Sequence, residues 1–255
     1  MRNDQWTREE LIVAFNLYCK IPFGRIHIRN PQIIELAEAI GRTPSAVSWK
    51  LANFARLDPS LKKRNIKGAS HGSMGEEEVW KAFNGNWEKL VFESERLLAS
   101  YFHKPIEKVA EIETENLPRE GKERESIVKI RVNQQFFRKA VLSAYDFKCC
   151  ITGLPVIDLL NASHIVPWAV DEKNRVNPRN GLCLNVLHDR AFDRGLMTIT
   201  SEFEIRLSRA LLHDKSGKAV RDFFLNYKGR KINLPNRFVP DATFLKHHND
   251  HVFKN

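Results

Sequence analysis

Ser163-His164-Ile165-Val166-Pro167-Trp168, then Asn177-Pro178-Arg179-Asn180-Gly181-Leu182, then His188-Asp189-Arg190-Ala191-Phe192-Asp193-Arg194-Gly195 form the stretch whose reading decides the fold. It sets a histidine, an asparagine and two carboxylates in order between Ser163 and Asp193, enough for a base, a loop clamp and a metal site. The apolar run Leu159 to Val166 predicts a strand that ends at the histidine, and Gly181 to Leu187 predicts a second. A helix is expected from His188, and Leu196 to Thr200 with Glu204 to Leu207 reads as a further hairpin. Asp189 and Asp193 stand four apart, which on a helix puts both carboxylates on one face, about 5–6 Å between Cβ atoms. Two unpaired carboxylates so placed repel, and a cation between them relieves the repulsion. Oxygen donors favour Mg²⁺ or Mn²⁺ over zinc.

The stretch resembles the HNH endonucleases, in a bacterial restriction-endonuclease-like branch with the pattern HIVPW, NGL, HDxAFDRG. The resemblance implies a ββα-metal core that hydrolyses phosphodiester bonds. It implies that His164, matching the first H, is the general base, and that Asn180 ties the loop across the strands. Its third position falls on His188 or on Asp189, so His188 is either a direct member of the site or a cap at the helix start. Asp189 and Asp193 are the expected metal ligands. They lie 9 and 13 residues beyond Asn180, the spacing at which colicin-type relatives carry metal-binding histidines. Ser163 stands where many relatives place a metal ligand before the base, which points to fewer protein ligands and more water. The resemblance also implies a DNA substrate, products with 5′-phosphate and 3′-hydroxyl ends, and a restriction or defence role that is plausibly modification-dependent. Cutting both strands would need two active sites, for which a homodimer is the simplest arrangement.

Outward from this core, Arg175, Arg179, Arg190 and Arg194 are candidate phosphate contacts. A helix from Gln134 to Tyr145 is expected to lead into the strands, and the C-terminal stretch with His247, His248 and His251 to pack back on the core. At the other end, Thr7 and Glu10 make a capping box before a helix carrying Leu11, Ala14, Phe15 and Tyr18 on one face. A second helix starts at Asn30-Pro31 and stops at Gly41, and Thr43-Pro44 opens a third with Val47, Leu51 and Phe54 inward. Helix, tight turn, helix is a helix-turn-helix layout. The block also resembles a Myb/SANT-like three-helix module. If its third helix reads DNA, Ser45, Ser48, Trp49, Asn53 and Arg56 are the outward candidates, with Trp49 either at that face or in the core.

Charge divides the 255 residues in three. Residues 1–72 carry 12 Lys/Arg against 6 Asp/Glu, residues 73–125 carry 8 against 13, and residues 126–255 carry 21 against 12. A basic helical module at 1–72, a charged, partly helical connector at 73–125 and a basic nuclease domain at 126–255 are therefore expected. The net charge of +10 suits a polyanionic partner such as double-stranded DNA. Four cysteines without a CxxC pair argue against a zinc staple and for small core residues. No run approaches the roughly 20 apolar residues needed to cross a bilayer. The opening residues lack the apolar core of a signal peptide, so a cytoplasmic location is expected. The fold class expected is α+β, an all-α helix-turn-helix-like module plus a ββα-metal nuclease domain. The competing reading is a DNA-binding regulator with an inactive HNH fold.

Overall fold

Thr7 starts the first helix, α1 (Arg8–Lys20): its hydroxyl accepts from the Glu10 amide at 3.2 Å and the Glu10 carboxylate accepts from the Thr7 amide at 2.9 Å. The computed structural model describes residues 5–63, 72–115, 117–212 and 217–255. The first four residues, part of the leader reading above, lie outside it. The chain divides into two compact units, Met1–Ala144 and Tyr145–Asn255, and the fold is mixed α+β.

In the first unit α1 is buried from Glu10 to Cys19, on all sides rather than along one stripe, because four helices surround it. They are α3 (Pro44–Leu57), α5 (Met74–Phe83), α6 (Trp87–Phe102) and α8 (Lys122–Ala144). Phe15 meets Phe54 and Trp80 at ring separations of 4.9 and 5.3 Å. The second helix, α2 (Pro31–Ala39), is capped by Asn30, and Gly41 turns the chain at φ 60°, a conformation that favours glycine. Arg42 then reaches back to the buried Glu10 at 2.8 Å and lies over the Trp6 ring, while Thr43 caps α3. Trp6-Thr7 and Gly41-Arg42-Thr43 thus form one latch. Short helices α4 (Pro59–Lys63) and α7 (Ile106–Val109) complete the unit.

Two expectations change here. The helix expected from Gln134 begins at Lys122, and α8 packs on α1 and α6 in the first unit instead of opening the second. Val128 and Val132 continue the apolar face of Phe136, Phe137 and Ala140 through a charged stretch that masks it. The segment 103–125, the last part of the expected connector, is anchored at points: Ala110 and Ile112 are buried, and Arg124 binds Glu107 at 2.6 Å.

In the second unit β1 (Leu160–His164) pairs antiparallel with β2 (Gly181–Asn185), Leu160 opposite Asn185 and His164 opposite Gly181. Helix α9 (Val186–Asp193) follows at once, because Asn185 caps it by accepting from the His188 amide at 2.9 Å. Then come β3 (Met197–Ile199) and β4 (Ile205–Leu207), a second antiparallel pair, and α10 (Arg209–Leu212), α11 (Lys218–Phe223) and α12 (Ala242–His251). The four cysteines are buried and form no disulfide.

Helix α12 locks the end of α9. His248 stacks on Phe192 at 3.6 Å, meets the Thr198 hydroxyl at 2.8 Å and donates to the Phe192 carbonyl at 3.2 Å. Gly195 has φ 68°, and a Cβ there would run into the Val252 carbonyl, which is why glycine closes the Asp-Arg-Gly run. Burial drives the His248 imidazole down to about 4. The unfolded chain therefore binds a proton near pH 6.5 that the folded one refuses until about 4. Stability from this residue is complete above pH 6.5 and is lost as pH falls through that window, about 3 kcal/mol in all. Denaturant titrations at pH 4 to 7 should show the loss in wild type and not in His248→Gln. Parallel curves would refute it.

Candidate active site

His164 closes β1, and its ring is set by the loop that leaves the strand. Its Nε2 lies 2.8 Å from the Arg175 carbonyl, and its ring meets Trp168 edge-on at 5.5 Å. A carbonyl only accepts, so Nε2 carries the proton and Nδ1 is the basic nitrogen of the neutral ring. Burial lowers the imidazole below its ordinary range, with the Arg175 contact opposing. The side chain is thereby kept neutral, the form that takes a proton. Arg175 is itself fastened: its Nε donates to the Trp168 carbonyl at 2.7 Å, its guanidinium lies over the Trp168 ring, and it pairs with Glu172 at 2.9 Å.

Asn180 is fully buried. Its Oδ1 accepts from the Val166 amide at 2.8 Å, and its Nδ2 donates to the carbonyls of Val166 at 3.2 Å and Asn174 at 3.3 Å. Its own carbonyl takes the Ile165 amide at 2.9 Å. The amide therefore staples both ends of the 165–180 loop, the loop whose Arg175 carbonyl orients His164.

Asp189 and Asp193 project from α9, which lies against both β1 and β2. Partial burial and then the charge of Asp189 raise the Asp193 carboxyl, Arg190 and Arg194 opposing, so the two carboxylates feel each other. Neither is in an ion pair among the described residues. Asn161, not singled out by the sequence reading, donates from Nδ2 to Asp189 Oδ2 at 2.7 Å. Ser163 shares the Asn161 face of β1 by strand alternation, and its buried Oγ has no hydrogen-bond partner. The signal for Asn161 was available: a polar residue two before Ser163 on a strand facing the helix. No group of three or more His, Cys, Asp or Glu side chains able to hold a metal exists among the described residues. Two carboxylates one turn apart on α9, close enough that the charge of one raises the other, still fit a hard divalent cation that keeps several waters.

His188 is a correction. It is buried beneath Phe224 and Tyr227, its Nε2 donates to the Phe223 carbonyl at 2.7 Å, and its Nδ1 accepts from the Asn185 amide group at 3.2 Å. Both nitrogens are hydrogen-bonded inside the unit, so it braces α9. Arg190 and Arg194 are exposed, whereas Arg179 is tied to Asp241 at 3.1 Å and to the Val239 carbonyl.

On α3 the outward expectation holds for part of the face. Ser45 and Trp49 are exposed, Trp49 at 63%, and Ser48 is half-buried. Asn53 and Arg56 are corrected: α5 covers them, Asn53 donating to the buried Glu76 at 2.9 Å and Arg56 pairing with Glu77 at 3.1 Å.

An antiparallel hairpin ending in a tautomer-fixed histidine, followed by a helix bearing paired carboxylates, is the layout of a ββα hydrolytic nuclease. Residues 149–200 match the family model for HNH endonuclease, and this segment is an HNH endonuclease domain. No curated protein matches the chain. No helix among the described residues is long and apolar enough to cross a membrane.

Proposed function

We propose that the protein is a metal-dependent endonuclease that hydrolyses phosphodiester bonds of double-stranded DNA, with His164 as general base and Asp189 and Asp193 holding one divalent cation, Mg²⁺ or Mn²⁺. The observation that carries this reading is the fixed tautomer of His164, whose proton is committed to the Arg175 carbonyl, which makes Nδ1 the basic nitrogen. His164 Nδ1 takes a proton from a water molecule, the water oxygen attacks phosphorus, the bond from phosphorus to the 3′ oxygen breaks, and the leaving oxygen takes a proton from solvent. The products carry a 5′-phosphate and a 3′-hydroxyl. When bound, the metal supplies Lewis-acid polarisation of the phosphate and neutralises charge on the leaving oxygen. Asn161 holds Asp189 in one orientation, and Asn180 holds the loop that orients the base.

The exposed Trp49 and Ser45, with Arg190 and Arg194, are the proposed DNA contacts. A net charge of +10 supports a polyanionic substrate. The likeness of the motif to restriction-type nucleases supports a defence role, modification dependence included. A homodimer supplies the two sites that a double-strand break requires.

Supercoiled plasmid tests the reading. Nicked and then linear DNA should form with Mg²⁺ or Mn²⁺ and not with EDTA. Asn161→Ala should require more metal or work more slowly by about 10–100-fold, the usual effect of losing a hydrogen bond to a ligating carboxylate. An intact plasmid under every divalent ion sinks the proposal.

A further inference from the structure

Of the three histidines on α12, only His248 packs into the core, with both ring nitrogens engaged by Thr198 and Phe192. His247 is half-buried and His251 is exposed. They stand four apart on the helix, so their side chains share one face. Their ring centroids are 4.5 Å apart. Neither ring takes part in a hydrogen bond or an ion pair among the described residues. Two imidazoles therefore lie side by side with their nitrogens uncommitted.

This is the spacing by which a helix offers two histidines to zinc. A cation held at about 2.0–2.1 Å by each of two nitrogens keeps those nitrogens roughly 3 Å apart, which neighbouring rings on one turn can meet. The charged neighbours do not oppose it: Lys246 and Asp250 neutralise each other at 2.6 Å. His251 is the last residue of α12, where the unpaired carbonyls of a helix end favour positive charge. No third His, Cys, Asp or Glu completes the cluster among the described residues, so water fills the remaining positions. Imidazole nitrogen selects Zn²⁺, Ni²⁺ and Cu²⁺ over Mg²⁺, which prefers the oxygens of paired carboxylates. We infer that His247 and His251 chelate one transition-metal cation, Zn²⁺, Ni²⁺ or Cu²⁺, at the end of α12. Such a cation clips two consecutive turns of the helix whose His248 stacks on Phe192 at the end of α9, and so stiffens that brace. The site is independent of the nuclease reading, and its test needs no cleavage.

Full-length protein is stripped with EDTA, exchanged into chelator-free buffer with excess Mg²⁺, and titrated calorimetrically with NiCl₂. Wild type should take up one Ni²⁺ that Mg²⁺ does not displace. His247→Ala and His251→Ala should each weaken that binding by about tenfold or more, since loss of a mere outer-shell partner already costs about 10–100-fold in metal affinity. With substoichiometric Cu²⁺, the electron paramagnetic resonance spectrum should show two coordinated nitrogens in wild type and one in His251→Ala. Saturating Ni²⁺ should raise the Tm of wild type and leave that of His251→Ala unchanged, because only a bound cation stabilises the fold. Metal-free melting curves check that the variants fold, and His251→Gln serves as the second variant at that position. Equal Ni²⁺ affinity in wild type and both alanine variants, or a Cu²⁺ spectrum that His251→Ala leaves unchanged, overturns the inference.

Discussion

Replacing His164 by alanine should cut plasmid nicking by about 10²–10⁴-fold, the range general-base help contributes, with the protein still folded. The expectation follows from the hydrogen bond at Nε2, which leaves Nδ1 as the basic nitrogen. His164→Gln separates base from brace. A glutamine amide can still donate to the Arg175 carbonyl but cannot take a proton, so it should be as inactive as alanine. Were His164 merely structural, glutamine would restore activity. The pH profile adds an independent readout. The base works deprotonated, and burial lowers His164 below its ordinary value of 6.5, so the acid limb of kcat/KM should fall below pH 6.5. Wild-type rates from His164→Ala, or an acid limb above 6.5, would remove this residue from the mechanism.

The motif was legible in the sequence where its determinants are local. The end of β1 at His164, the glycine turn, the N-caps at Thr7, Asn30 and Thr43, and the i,i+4 carboxylates all depend on neighbours within a few residues and recur in the structure, whereas β2 stops at Asn185 instead of Leu187 and α9 starts at Val186 instead of His188. The errors share one physical cause, a partner distant in sequence. His188 sits inside the motif, but the Phe223 carbonyl that consumes its Nε2 belongs to α11. Asn53 and Arg56 face outward on an isolated α3, and Glu76 and Glu77 on α5 take them up. Arg179 reads as a phosphate contact until Asp241, at the start of α12, pairs with it. In each case a polar residue that reads as outward is engaged by a partner distant in sequence.

Asn180→Ala should damage both stability and turnover, and the two effects have separate sources. The substitution strips partners from the Val166 amide and carbonyl and from the Asn174 carbonyl. At a fully buried position a stranded polar group costs about 1–3 kcal/mol, so with three such groups at least about 3 kcal/mol should be lost from the second unit. Asn180→Asp is the sharper variant. It keeps an acceptor for the Val166 amide but turns a carboxylate oxygen toward two carbonyls that need a donor, so it should fare no better than alanine. Turnover falls because the loop carrying Arg175 loosens, and with it the bond that commits the His164 proton to Nε2. Since Asn180 reaches the reaction only through that loop, kcat should drop while KM for DNA and the metal dependence stay near wild type. A large change in KM with kcat intact would make Asn180 a substrate contact. A variant as stable and as active as wild type would show that the loop is held without it.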